Sequence, residues 1–246
     1  MIIVTGATGF LGRYLIDHLF GMAVMAVHPD FQDLYYRGRR PTGFYIPRFR
    51  NVTEPGDFHR GFGYEGRSFR LSGKYEAASK LGVGAEYKAA LRKPGPWMTM
   101  MAGFGEMLPR PDNRVTLHPI KKDKWGIPLV HIDCSHGEND EKIIAQANVD
   151  AAAMLKAAGL TPIEVGNREA VFPGLAIHEM GTAHMGTDPN TSVLNKYNQA
   201  HDVPNLFITD GACMASSGCQ NPSLTYMAMS ARGAHYAAEF LRSGAI

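Results

Sequence analysis

The chain opens on a continuous apolar run, Met1-Ile2-Ile3-Val4, followed by the glycine-rich Thr5-Gly6-Ala7-Thr8-Gly9-Phe10-Leu11-Gly12 and by apolar positions at Leu11, Tyr14, Leu15 and Leu19. That order predicts a strand, a tight turn and a helix. After the turn-rich stretch 29–41, the segment 43–50 predicts a strand, as do the short apolar or alternating runs 104–108, 114–117 and 127–132, each bounded by Pro, Asp, Asn or Gly. Helical spacing returns over residues 140–158, where Ile143, Ile144, Ala147, Ala151, Met154, Leu155 and Ala158 share one face. Asn139 is placed to cap that helix, Asp140 and Glu141 suit the positive end of its dipole, and Gly159 supplies a left-handed stop. A strand over 162–165 and another over 203–209 follow, the second ending on Asp210-Gly211. The last helix opens at Cys219-Gln220-Asn221-Pro222-Ser223-Leu224-Thr225 and runs to about Leu241, with Pro222 expected at its first helical position. Leu224, Met227, Ala228, Ala231, Ala234, Ala238 and Leu241 form its expected apolar face.

A length of 246 residues suffices for one large domain or two smaller ones. Lys plus Arg number 25 against 23 Asp plus Glu, with no basic block, which argues against binding nucleic acid through a phosphate-backbone field. Cys134, Cys213 and Cys219 are odd in number and show no CxxC spacing, so neither a disulfide framework nor a zinc knuckle is indicated, and a reducing compartment is expected. No apolar run approaches the roughly 20 residues of a membrane-spanning helix, and no basic region precedes the first apolar stretch. The sequence as it stands therefore reads as cytoplasmic.

The TGxxGxxG string of residues 5–12 resembles the start of the extended short-chain dehydrogenase/reductases of the nucleotide-sugar epimerase type. Its glycines would let the backbone approach a pyrophosphate at a helix amino terminus. Taken alone it offers an NAD(P) site at Gly6, Gly9 and Gly12. The second βα unit that should follow is absent, and Tyr75, Tyr87 and Tyr197 are not followed four residues later by lysine.

From about Gly12 onward a different resemblance takes over. The strings Gly12-Arg13-Tyr14-Leu15-Ile16-Asp17-His18, RRPTGFYIPRFRN from Arg39, PDNRVTL from Pro111, HEMGTAHMG from His178, NLFITDG from Asn205 and CQNPSLT from Cys219 resemble, in order, the carboxyl-terminal half of the glucose–methanol–choline (GMC) oxidoreductases, most of all their sugar and gluconate dehydrogenase branch. The resemblance implies FAD-dependent oxidation of the CH–OH group of a sugar or other alcohol. It implies an α+β fold, with an antiparallel substrate-domain sheet over 30–165 and a partial FAD-binding α/β domain from 1–29 and 166–246. It makes His178 the base and Asn221 the partner on the same substrate oxygen, and it puts Asp210, Gly211, Pro222 and Thr225 against the cofactor. Imidazole suits the first role because its unperturbed pKa of about 6.5 lets it accept a proton near neutrality; a carboxamide suits the second because it donates without titrating.

Plainer readings stand beside these. His184, His131, His136, His118 and His201 read as structural histidines. Asn221 could serve as a helix cap, Asp210 as a strand-end turn residue, and the methionines of the last helix as core. His131, Cys134 and His136 could suggest a metal, but alternation along a strand explains them with no fourth ligand in view, and no metal is expected. The GMC family's amino-terminal FAD-binding unit has no counterpart here, so the chain is expected to be a truncated or fused product joined near Leu11. It would work with a complementing flavoprotein chain or an electron-acceptor subunit, or else be a non-catalytic remnant or accessory subunit without flavin.

Overall fold

The computed structural model describes residues 2–4, 14–20, 23–31, 43–72, 83–167 and 171–244. The glycine turn of residues 5–12, and with it the NAD(P) reading of Gly6, Gly9 and Gly12, lies outside them. The chain mixes helices with mainly antiparallel sheet and divides into two compact units, Met1–Leu19 with Gly105–Glu141 and Phe172–Ile246, and Phe20–Phe104 with Lys142–Val171.

In chain order the strands are β1 (Ile2–Val4), β2 (His18–Phe20), β3 (Val24–Val27), β4 (Phe44–Ile46), β5 (Phe62–Ser72), β6 (Pro94–Glu106), β7 (Arg114–Lys122), β8 (Pro128–Asp133), β9 (Ile163–Val165) and β10 (Leu206–Ile208). The helices are α1 (Ala85–Arg92), α2 (Glu138–Ala157) and α3 (Ser223–Arg242).

The second unit is a sheet in the order β4-β5-β6-β3-β9. β3 runs antiparallel to β6 on one side and to β9 on the other, with Val24 opposite Met101 and Val165. Its alternation is a clean period of two: Val24 and Ala26 are buried, and the residues between and after them are half-buried. On this sheet lies the part of α2 that presents Ile143, Ile144, Ala147, Ala151 and Leu155, all buried. The approach is close enough that a Cβ on Gly103 of β6 would stand 2.9 Å from the Ala147 Cβ. Tyr64 donates its hydroxyl to the Ala147 carbonyl at 2.7 Å, and Arg50 forks onto Asp150 at 2.7 and 2.6 Å. The helix stops where the sequence says it should. Gly159 adopts φ +80°, its N–H reaches the Lys156 carbonyl, and the Leu160 N–H reaches back to Leu155, closing both bonds of a Schellman cap. Its start differs from expectation. Asn139 sits inside the helix, and Asp140 turns back to accept the Gly137 N–H at 2.8 Å, the carboxyl half of a capping box.

In the first unit β1 pairs in parallel with β10, Ile3 opposite Phe207, and β7 with β8 form an antiparallel hairpin. A core of Ala183, Leu194, Ala200, Ile208, Ala212 and Cys213 collects the loops around β10. The helix expected after the first glycines is not formed over residues 14–20. Tyr14 takes φ +65°, the Leu15 N–H goes to the Asn113 carbonyl, Ile16 exchanges both backbone hydrogen bonds with Met180, and His18–Phe20 is strand. Residues 15–19 are all buried, so no polar face remains for a helical stripe.

α3 has the expected extent but turns a different face inward. Gly233 and Ala237 are buried and Tyr226, Met229, Tyr236 and Phe240 half-buried, with Tyr236 stacked on Tyr197 at 4.1 Å between centroids. Leu224, Met227 and Leu241, expected on the core side, are 77%, 67% and 53% exposed. The aromatic side chains win the inner face because residues 195–213 offer them flat partners. Of the two methionines near the amino end, Met229 packs on the core and Met227 does not. No described helix is long and apolar enough to cross a membrane.

Candidate functional site

Three stretches of the first unit are laced together by backbone bonds. Residues 15–16 hold Asn113 and Met180; Gly181, Ala183 and Met185 donate in turn to the carbonyls of Gly211, Ala212 and Cys213. Gly181 is required at the crossing, since it sits at φ +90° and a Cβ there would lie 2.5 Å from the Tyr14 carbonyl oxygen.

Asp17 is the tie at the centre. Its side chain is almost wholly buried, and its carboxyl oxygens accept three backbone N–H groups: Oδ1 from His18 at 2.7 Å and His178 at 3.1 Å, Oδ2 from Gly174 at 2.8 Å. The main chain of the His178 loop is thereby fixed from a residue 161 positions earlier. His18, also buried, places Nε2 2.7 Å from the Gly218 carbonyl and Nδ1 2.8 Å from Nδ1 of His178, the two rings standing edge to face at 87°. Burial, and next the neighbouring His178, hold the pKa of His18 below its ordinary value. His178 itself is half-buried.

Beside this cluster lies a cavity of about 440 Å3 whose walls include Leu15, Asp17, Ile132, Met180, Asp210 and Gly211. It opens just past the carboxyl end of β10, where α/β proteins put their cofactor contacts. Asp210 serves as the turn residue of the plain reading, its Oδ1 capping the Ala212 N–H at 3.0 Å, and also forms cavity wall. Gly211 leaves no room for a side chain, because a Cβ would meet the Tyr226 ring at 2.8 Å and the Glu179 carbonyl oxygen at 2.9 Å.

The sequence-selected residues thus fall in two groups. Asp210 and Gly211 line the cavity; His178, Asn221, Pro222 and Thr225 are not among the described residues that do. His178 is joined through His18 to Gly218, three positions before Asn221. Asn221 is exposed at the head of α3. It is not the helix cap: Pro222 holds that position without a side-chain bond, one residue earlier than its expected place as first helical residue, and accepts the Tyr226 N–H through its carbonyl. Thr225 is exposed in the first turn.

Asp17 and His18 were not singled out from the sequence, although an acid and an imidazole adjacent inside one of the family strings were the available signal. The His131, Cys134, His136 grouping dissolves into local pairs, His131 with Asp133 at 3.1 Å and His136 with Glu141 at 3.9 Å, and no set of three metal-ligating side chains occurs among the described residues. Cys134 lines the cavity with its thiol pushed up to about 11 by burial, so it stands there as a neutral, inert group.

Residues 109–230 match the family model described as GMC oxidoreductase. The chain is 33% identical over 242 residues to 2-methyl-1,2-propanediol dehydrogenase of Mycolicibacterium austroafricanum, covering 95% of this chain and 42% of that protein. It is 29% identical over 247 residues to the fructose dehydrogenase large subunit of Gluconobacter japonicus, covering 98% and 43%, and 28% identical over 148 residues to the gluconate 2-dehydrogenase flavoprotein of Pantoea cypripedii, covering 57% and 24%. It therefore spans less than half the length of these curated relatives. Among solved structures, the formate oxidase of Aspergillus oryzae RIB40 superposes with a TM-score of 0.55 at 13% identity, over 95% of this chain and 48% of that one, which supports the fold alone. On the matched segment and these relatives, the chain belongs to the GMC oxidoreductase family.

Proposed function

We propose that this chain carries the proton-accepting and oxygen-orienting groups for oxidation of the CH–OH group of a sugar or other alcohol, in a GMC enzyme that uses FAD. The observation that carries the reading is the mounting of His178. A backbone amide held by Asp17 and a ring nitrogen held by His18 leave the imidazole one defined orientation, which is what a general base needs before it can act in a transition state. His178 takes the hydroxyl proton as the carbinol carbon gives up hydride. Asn221 donates its amide hydrogen to the same oxygen as that oxygen becomes a carbonyl. Asp210, Gly211, Pro222 and Thr225 would contact FAD, and the cavity at the end of β10 fits part of such a group in size and position. When bound, FAD supplies the two-electron acceptor. The amino terminus of α3, a helix of 20 residues, favours negative charge in its neighbourhood.

A second reading, a non-catalytic GMC remnant or accessory subunit without bound flavin, is favoured by the exposed apolar side of α3 and by Ile120, Trp125 and Ile127 on the β7–β8 hairpin, 83%, 73% and 60% exposed. Such surface suits cover by further polypeptide, whether a complementing flavoprotein chain or an electron-acceptor subunit. The test is spectroscopic. With FAD present, alone and with a chain supplying an amino-terminal GMC half, flavin absorbance that bleaches on addition of a sugar or polyol supports the first reading, and protein that stays colourless in both conditions supports the second. In an active assembly, His178→Ala slows flavin reduction about 10²–10⁴-fold and Asn221→Ala slows it less; an unchanged rate for His178→Ala refutes the assignment.

A further inference from the structure

The two-histidine contact decides which nitrogen of His178 is free. A backbone carbonyl accepts and never donates, so the 2.7 Å contact between His18 Nε2 and the Gly218 oxygen requires a proton on Nε2. His18 is buried, and a second proton would put a charge into that enclosed site, where it is costly. With its single proton on Nε2, His18 offers a lone pair at Nδ1. The partner nitrogen, Nδ1 of His178, must then be the donor of that bond.

From this arrangement we infer that His18 is a positioning residue that holds His178 in its Nδ1–H tautomer and leaves the lone pair on Nε2. The claim rests on the proposed role of His178 as base only for its functional meaning, since the tautomer itself follows from the contacts. Its consequence is specific. The hydroxyl proton is received at Nε2, on the side of the ring away from His18, and when it arrives the Nδ1–H bond to His18 becomes charge-assisted and shortens. The carbonyl of Gly218 fixes the tautomer of His18, and through it that of His178, so one backbone group two rings away sets where the base is basic. A carboxyl group behind the imidazole, as in hydrolase triads, would orient the ring equally well. A neutral imidazole orients it without adding a counter-charge.

The experiment is a long-range 1H–15N correlation through the imidazole rings of the uniformly 15N-labelled full chain, at a pH where histidines are neutral, with the His178 signals assigned by their loss in His178→Gln. A protonated Nδ1 and an unprotonated Nε2 at His178 are expected. In His18→Phe the pattern should revert towards the Nε2–H form that histidine prefers in water, and His18→Asn, which restores an acceptor at the Nδ1 position, should return it. A wild-type His178 with its proton on Nε2 overturns the inference, as does a tautomer indifferent to His18→Phe. If His18→Phe does not fold, the wild-type spectrum still decides. Failure of the functional reading looks different: the tautomer is as stated, but flavin reduction in a loaded assembly is unaffected by His178→Ala.

Discussion

Replacing Asp17 by asparagine tests the frame on which the site hangs. The carboxyl group accepts three backbone N–H groups, two from segments more than 150 positions away, at 2.7, 2.8 and 3.1 Å. An asparagine keeps one oxygen and puts an NH2 where the other stood. The better outcome retains the oxygen towards His18 and His178 and turns the NH2 on the Gly174 N–H, donor against donor. Losing that one bond and leaving its donor unsatisfied costs about 1–3 kcal/mol. Asp17→Ala removes the acceptor oxygens of all three bonds, so about 3–4 kcal/mol is expected on the same scale. Native-state amide exchange is the appropriate assay because it reads the tie locally. About 1.4 kcal/mol is a tenfold change, so Gly174 should lose about tenfold in protection in the asparagine variant, with His178 little changed, and both should lose about tenfold or more in the alanine variant. Equal protection of Gly174 in wild type and Asp17→Asn would refute the tie.

Two further outcomes follow from packing and charge. Gly103→Ala forces a methyl to within 2.9 Å of the Ala147 Cβ, so urea unfolding should show a loss of about 1–3 kcal/mol, part of which returns in the double variant with Ala147→Gly. Burial raises the Asp140 carboxyl above its ordinary range. The folded state then binds its proton more tightly than the unfolded chain, so this residue's contribution to stability falls as pH rises from the usual carboxylate value, about 3.9, through the higher folded value. Asp140→Asn keeps an acceptor for the Gly137 N–H and should flatten that slope in pH-dependent unfolding, and an unchanged slope would refute the burial argument.

Much of the fold was legible because it is local. Gly159 needed only a left-handed residue after a periodic run, and the strands around 114–117, 127–132 and 162–165 declared themselves by short apolar runs between turn residues. What was misread depended on distant partners. The spacing of Leu11, Tyr14, Leu15 and Leu19 is helical on paper, but the N–H groups that a helix would have used are claimed by Asn113 and Met180. Either side of α3 could have been the inner one by hydropathy, and Tyr197 and Asn198, remote in any pattern, decided for the aromatic side. Of the candidate residues, His178 was selected through its motif, and Asp210 through its place at a strand end. Asp17 and His18 escaped because nothing in a linear string says that a carboxyl group at 17 will hold amides at 174 and 178.

The bare outer side of α3 has a practical meaning for anyone handling this polypeptide. Leu224, Met227 and Leu241 together offer water a ridge of greasy side chains down a helix of 20 residues. At roughly 25 cal/mol for each square ångström of such surface, every protein molecule in a concentrated solution gains by hiding that ridge on a neighbour. Purified material will therefore self-associate as its concentration rises, and a mild detergent or three polar replacements along the ridge will keep it dispersed.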